Sequence, residues 1–279
     1  MENINKSACY ILTYRAEHAR VASARSHRLD NLTTVLAWLR RFPALAVILV
    51  EQDSTPTLNV AEMLPHLQGI NYQFAYNPGP FNKSWGLNVG ARCANTDVIG
   101  FGDADVICGD VMESVQACLE RVIAVNCHRR TVDLTAAQSM LVRSGNHDFL
   151  PTADVSRERE QQQEHVVFCG GNFFIRRQAF LELGLWDERF LGWGGEDDAM
   201  SHKLQRARVS AMEFDSRPAI HLYHERAAPL VGGAPPHANY AMNVQLVQRY
   251  RDYPDVELSR LYEIGRQVHG NPAKYRPLP

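Results

Sequence analysis

The first hundred residues alternate apolar runs with stretches of helical periodicity, and this alternation restricts the fold more than any other feature of the chain. Ala8-Cys9-Tyr10-Ile11-Leu12-Thr13-Tyr14 reads as a buried strand. From Arg25 to Phe42, Leu29, Leu32, Leu36 and Leu39 mark one helical face. Ala46 to Val50 reads as a second strand, Ile70 to Tyr76 as a third, and Asn82 to Asn95 as a helix despite Gly86 and Gly90. Asp97 to Gly102 is a fourth strand, ending at Asp103. This order predicts an α/β fold, a mostly parallel sheet flanked by helices on both faces. Ligands in such sheets bind beyond the carboxyl ends of the strands, where Asp103 and Asp105 would stand.

The second half is less regular. Arg129 to His165 reads as a strand remnant, a long excursion and a short exposed helix, and its charge run, Arg157 to Glu164, as a solvated face or an acceptor-side loop. Phe174 to Leu183 and Asp198 to Arg208 read as helices, Val209 to Phe214 and Ala219 to His224 as strands. Glu225 to Ala238 is rich in Gly, Pro and Ala and reads as a mobile loop; Asn239 to His269 is helical text broken at Pro254. The expected organisation is one domain over residues 1–238 with a helical extension over 239–279 packed on it. A net charge of −2 over 279 residues gives no reason to expect a nucleic-acid partner. No run approaches the roughly 20 apolar residues of a membrane span. The start of the chain lacks the pattern of a signal peptide. Six cysteines without a Cys-x-x-Cys pair read as buried reduced thiols, and a cytoplasmic location is the expectation.

Three short strings carry the chemistry. Asp103-Ala104-Asp105 puts two carboxylates at a strand end, where they could hold a hard cation across a diphosphate or merely cap a turn. His221 and His224 lie three apart. They can face one ion only if the chain bends near His224, and otherwise are one structural and one surface histidine. Imidazole suits manganese or zinc better than magnesium. Glu196, Asp197 and Asp198 precede a helix-like stretch and could serve its N-terminus, but that does not explain Trp193 set among Gly192, Gly194 and Gly195. A tryptophan on such pliant backbone can stack on a sugar face. Together the strings suggest a metal-held diphosphate with a separate carboxylate free for acid–base work, the chemistry of a sugar-nucleotide glycosyltransferase.

The run Gly170-Gly171-Asn172-Phe173-Phe174-Ile175-Arg176-Arg177, then Gly184-Leu185-Trp186-Asp187-Glu188-Arg189-Phe190 and Gly192 to Asp198, resembles the C-terminal half of β-1,4-galactosyltransferase-like enzymes. It also resembles related bacterial capsule and lipopolysaccharide glycosyltransferases of the GT-A fold. Thr13-Tyr14-Arg15 is similar to that family's nucleotide-contacting start, Val50-Glu51-Gln52 to its second strand, and Phe81-Asn82-Lys83 to its uridine-side motif. The resemblance implies a GT-A, Rossmann-like domain whose Asp105 and His224 bind manganese, with magnesium as the alternative. His221 stands where the animal enzymes carry a methionine ligand, and Asp103 lies beside ribose and metal. Asp197 is the implied general base with Glu196 beside it. Asp198, Gly170 and Gly171 belong to the substrate side, and Trp193 is a mobile aromatic over donor and acceptor.

The implied partners are a UDP-sugar and a carbohydrate or lipid-linked glycan acceptor. The implied setting is bacterial surface polysaccharide synthesis, with peripheral association at the inner membrane or with other enzymes of that synthesis. A single base opposite the leaving group favours inversion. The rivals are a retaining GT-A transferase, a sugar nucleotidyltransferase and a non-catalytic glycan-binding protein. The nucleotidyltransferase would need a glycine-rich basic loop where Tyr14-Arg15-Ala16-Glu17-His18 stands. Gly192 to Gly195 and Glu225 to Ala238 are the candidate closing lids.

Overall fold

The computed structural model describes residues 7–16, 27–151, 157–160, 172–192, 194–225 and 238–276. Strands β1 (Ala8–Tyr14), β2 (Leu45–Asp53), β3 (Asn71–Tyr76) and β4 (Val98–Gly102) lie where the apolar runs predict them. Helix α1 (His27–Leu39) follows β1, a single turn α2 (Leu64–Leu67) precedes β3, and α3 (Lys83–Cys93) precedes β4. β1 pairs in parallel with β2 and with β4, and β2 in parallel with β3. All seven residues of β1 are buried. Strand alternation sorts them: Ala8, Tyr10, Leu12 and Tyr14 pack with Leu32, Val35, Leu36 and Leu39 of α1. Cys9 and Ile11 pack with Trp85, Leu87 and Val89 of α3. A strand covered on both faces has no need of polar alternation, which is why β1 is a continuous apolar run.

The remaining elements are β5 (Val106–Ile107), α4 (Val111–Glu120), β6 (Ala124–Asn126), β7 (Arg130–Asp133), α5 (Ala136–Arg143), β8 (Arg157–Glu160), β9 (Phe173–Arg176), α6 (Arg177–Glu182), α7 (Glu196–Arg206), β10 (Ala211–Glu213), β11 (Ala219–His221), α8 (Tyr240–Asp252) and α9 (Asp255–Val268). The large sheet has the order β10-β6-β9-β4-β1-β2-β3. It is mostly parallel, and only β9 runs against its neighbours β4 and β6. A second sheet has the order β5-β11-β7-β8, and its β5 follows β4 directly in the chain. Among the described residues no helix is long and apolar enough to cross a membrane. Cys9, Cys108, Cys118 and Cys127 are buried, whereas Cys93 is exposed.

Three expectations are corrected. The helix expected from Phe174 to Leu183 is β9 followed by α6, because Phe173-Phe174-Ile175 fills a central strand slot and a short apolar run has no period to separate strand from helix. The start of the charge run is not helical: Arg157–Glu160 pairs antiparallel with β7 as an edge strand, and residues 161–164 lie outside the described residues. The short helix of that region comes earlier, as α5, opened by a capping box between Thr135 and Gln138. The strand expected to run to His224 ends at His221.

The segment Gly184 to Leu191 is gripped between α3 and the C-terminal helices. Glu188 accepts from Asn88 Nδ2 at 3.0 Å and from the Gly270 amide at 2.6 Å, and pairs with Lys274 at 2.8 Å. Asp187 accepts the Tyr250 hydroxyl of α8 at 2.8 Å and the fork of Arg189. Burial alone would raise the Asp187 carboxyl, but the Arg189 contacts and the Lys203 charge outweigh it and hold it at about 2. A depressed carboxyl stabilises the fold above its unfolded value near 3.8 and loses that contribution as pH falls through about 2. At about 1.4 kcal/mol per pH unit this is about 2 kcal/mol. Acid unfolding followed by circular dichroism between pH 5 and 2 is expected to be shallower in Asp187→Asn, and an identical acid limb would contradict the assignment.

Helix α3 lies close enough to the sheet that a Cβ at Gly86 would stand 2.2 Å from both Thr13 Oγ1 and Gln52 Nε2. Those two atoms are hydrogen-bonded at 2.8 Å inside the sheet's carboxyl edge. Gly86→Ala is therefore expected to cost about 1–3 kcal/mol through overpacking. Urea denaturation measures it, and an unchanged midpoint would show that the helix can move away freely.

Candidate active site

The site begins where β4 stops. Asp103 to Asp105 form the turn into β5, and the Leu222 amide donates to the Asp105 carbonyl at 2.8 Å, so the exit of β11 is sewn to this turn. The chain then bends. The Tyr223 amide donates to Ser139 Oγ at 2.8 Å, and the Tyr223 carbonyl accepts from Asn31 Nδ2 at 3.1 Å and Arg143 Nη2 at 2.9 Å. With Leu222–His224 tied to α1 and α5, the rings of His221 and His224 converge, their centroids 5.3 Å apart.

Both imidazoles present Nε2 to Asp105. His221 Nε2 is 3.7 Å from Oδ1 and His224 Nε2 is 3.3 Å from Oδ2. Their Nδ1 atoms are engaged elsewhere: His221 Nδ1 lies 3.3 Å from the buried Asp133 carboxylate, and His224 Nδ1 lies 2.9 Å from the Glu225 carbonyl. A proton on each Nδ1, donated to Asp133 or to the Glu225 carbonyl, would leave both Nε2 lone pairs toward Asp105, the tautomer that a shared metal ion requires. Burial lowers the pKa of His224 against the pull of Asp105, which favours the neutral ring. One carboxylate oxygen and two imidazole nitrogens within 4.8 Å of one another fit a divalent cation, and a mixed N/O set suits manganese better than magnesium. A carboxylate behind a histidine ligand fixes its orientation.

The second cluster lies beside the first. Lys83, the first residue of α3, places Nζ 2.8 Å from Asp103, 3.3 Å from Glu196 and 3.8 Å from Asp197. Glu196, Asp197 and Asp198 occupy the first turn of α7, where free backbone N–H groups favour negative charge. Glu196 is buried, Asp198 exposed, and the Asp197 side chain 20% exposed. Burial pushes the Asp197 carboxyl well above the ordinary carboxylate range; Lys83 opposes this, while Glu196, Asp103 and Asp198 add to it. A carboxyl with raised proton affinity beside an opening is a candidate general base. Gly192, Gly194 and Gly195, which flank Trp193, take φ of 75°, 93° and 95°, a region side chains rarely enter. The Gly192 amide donates to the Phe81 carbonyl, tying this loop to the entry of α3.

The expected nucleotide end is a hydrogen-bonded nest at the carboxyl edge. Buried Gln52 donates to Thr13 Oγ1 and to the Asn82 carbonyl, and accepts from Asn77 Nδ2. Arg15 donates to the Gly79 carbonyl, Asn82 caps α3 by accepting from the Trp85 amide, and Tyr14 is buried against the α1 side. Glu51 is fully buried, its carboxylate taken by the Thr57 amide and hydroxyl, the Leu58 amide and the Tyr72 hydroxyl. This makes it a brace for the turn after β2. Gly170, Gly171, Trp193 and residues 226–237 of the expected lid lie outside the described residues.

Residues 33–267 match the family described as glycosyltransferase like family 2. The chain belongs to that family. Its fold is shared with the crystal structure of GalNAc-T7 with UDP, GalNAc and Mn2+, at 16% identity and a TM-score of 0.56. The match covers 93% of this chain and 55% of that one, so the chain spans about half the length of that protein. Two structures of Drosophila β1,4-galactosyltransferase 7 also match, both at 14% identity. Their TM-scores are 0.47, over 85% of this chain and 79% of that one, and 0.44, over 78% and 71%. The GT-A architecture of this glycosyltransferase-like family is thus the fold of the chain, with the carboxyl ends of β1, β2 and β4 facing the site.

Four residues that position the site escape sequence reading: Asp133, Asn31, Ser139 and Arg143. Asn31 and Ser139 are polar side chains buried on helices, among leucines on α1 and beside Val142 on α5, which is the one signal they give. Asp133→Ala is expected to weaken Mn2+ binding to the free protein about 10- to 100-fold, because His221 loses its orienting partner. Titration with MnCl2 followed by electron paramagnetic resonance of the free ion measures it, and an unchanged affinity would remove Asp133 from the site.

Proposed function

We propose that this protein is a metal-dependent glycosyltransferase that moves a hexose or N-acetylhexosamine from a UDP-sugar to a hydroxyl of a carbohydrate or lipid-linked glycan, with inversion at the anomeric carbon. The observation that carries this reading is the adjacency of two clusters. The Asp105–His221–His224 donor set suits a cation, and the Asp103–Lys83–Glu196–Asp197 network holds a candidate base next to it. Membership in the family supports the activity, and the UDP, GalNAc and Mn2+ in the GalNAc-T7 structure support the donor and the metal. A bound cation there would neutralise charge growing on the departing diphosphate. Asp105, His221 and His224 would hold it, and Asp103 would lie toward the ribose.

Asp197 then takes the proton of the acceptor hydroxyl as its oxygen attacks the anomeric carbon. Glu196 and Asp198 flank it on the acceptor side. A base at Asp197 opposite the leaving group supports a single displacement, and hence inversion. The setting we propose, on the family resemblance, is bacterial surface polysaccharide synthesis, with the protein in the cytoplasm or peripheral at the cytoplasmic membrane face. The absence of a glycine-rich phosphate loop after β1 disfavours the nucleotidyltransferase reading.

Isothermal titration with UDP in manganese tests the metal half: binding is expected to vanish in Asp105→Ala and His224→Ala, and metal-dependent binding that survived in Asp105→Ala would overturn it. Asp197→Asn tests the base. It is expected to bind UDP normally while losing about 10²- to 10⁴-fold in turnover. Near-normal turnover would move the base elsewhere, and the anomeric configuration of the product by NMR decides between inversion and retention.

A further inference from the structure

We propose that Lys83 is a positioning residue: its ammonium joins the acid at the end of β4 to the acids that open α7, keeping the Asp197 carboxylate aimed and free to take a proton. This rests on the reading of Asp197 as the base. It departs from the nucleotide contact that the family resemblance implies for Lys83.

The geometry is a three-way bridge. From one nitrogen, Asp103 Oδ1 lies at 2.8 Å, Glu196 Oε1 at 3.3 Å and Asp197 Oδ1 at 3.8 Å. The Lys83 side chain is 16% exposed, so these pairs are poorly screened by water. Its origin is rigid: Asn82 caps α3 through the Trp85 amide and donates to the Glu188 carbonyl, so the stem of Lys83 cannot drift from the acids. Burial would lower the Lys83 pKa, yet the three carboxylates hold it well above its ordinary value, so the group stays charged.

Among the described residues, the charged groups acting on Asp197 are Lys83 from α3, Asp103 from the end of β4, and Glu196 and Asp198 from α7. Lys83 is the one cation among them. Without it, burial and three negative neighbours all favour the protonated carboxyl, which cannot act as a base. The same ammonium fixes the distance between β4, where the donor side begins, and α7, which carries the acceptor side.

The test is a direct titration of Asp197 in the metal-free protein, labelled with 13C at the aspartate carboxyl carbon and assigned through Asp197→Asn. In Lys83→Met the titration midpoint is expected to rise by about 1 to 3 pH units. Lys83→Arg, which restores the charge, is expected to keep the wild-type midpoint. Lys83→Gln serves as a second neutral variant if the methionine protein fails to fold, with thermal melting as the check. An unchanged midpoint in the folded neutral variants overturns the proposal. An unchanged midpoint together with a large loss of UDP affinity, measured calorimetrically in manganese, would overturn it in favour of a nucleotide contact. Failure of the base assignment shows separately, as undiminished turnover in Asp197→Asn, and leaves the titration shift standing.

Discussion

The site depends on the antiparallel pairing of β11 with β5, which ends in a hydrogen bond from the Leu222 amide to the carbonyl of Asp105. It fastens the end of β11 to the turn after β4, two segments far apart in the chain. Once that pairing is made, His221 and His224 need only a short bend to face the Asp105 carboxylate. The bend is not left to chance: Asn31, Ser139 and Arg143 hold both polar groups of the Tyr223 backbone. A pair of side chains three apart in an extended strand would point away from each other. The second sheet exists, in effect, to end β11 where it does and to place Asp133 behind His221.

Charge is gathered here at a cost that other parts of the fold offset. Asp103, Asp105, Glu196 and Asp197 all lie within a small region, with a single lysine between three of them. The α7 N-terminus and Lys83 lower the repulsion, and a cation on the histidine side would lower it further. The frame that withstands the remaining strain is the segment Gly184 to Leu191. Its Asp187 and Glu188 bind α8 and the residues after α9, so that the loop carrying Gly192 to Gly195 starts from fixed ground. Among the described residues, the partners of these two acids belong to the scaffold: Tyr250 and Arg189 for Asp187, and Asn88, Gly270 and Lys274 for Glu188.

Much of the nucleotide-side architecture was legible because β1, β2 and β4 are continuous apolar runs and α1 has a clean leucine face. Two kinds of feature were not. Short elements such as β9 and β8 carry too few residues to show a period, and tertiary pairing decides them: Phe173–Arg176 is a strand because a slot between β4 and β6 must be filled. Positioning residues were the other gap. Asp133 shares no motif with His221, and Lys83 meets Asp197 only after α3 and α7 have packed. Glu51 shows the converse: its place in a recognisable strand suggested a ligand contact, while its carboxylate is spent on Thr57, Leu58 and Tyr72.

The central claim, that His221 and His224 join Asp105 in holding one divalent cation, is open to a direct spectroscopic measurement. Electron spin echo envelope modulation of Mn2+ added to the purified protein detects nitrogen nuclei bonded to the ion. Two inequivalent imidazole nitrogens are expected, one lost in His221→Ala and the other in His224→Ala. Bound manganese with no nitrogen modulation, surrounded only by oxygen, would contradict the account.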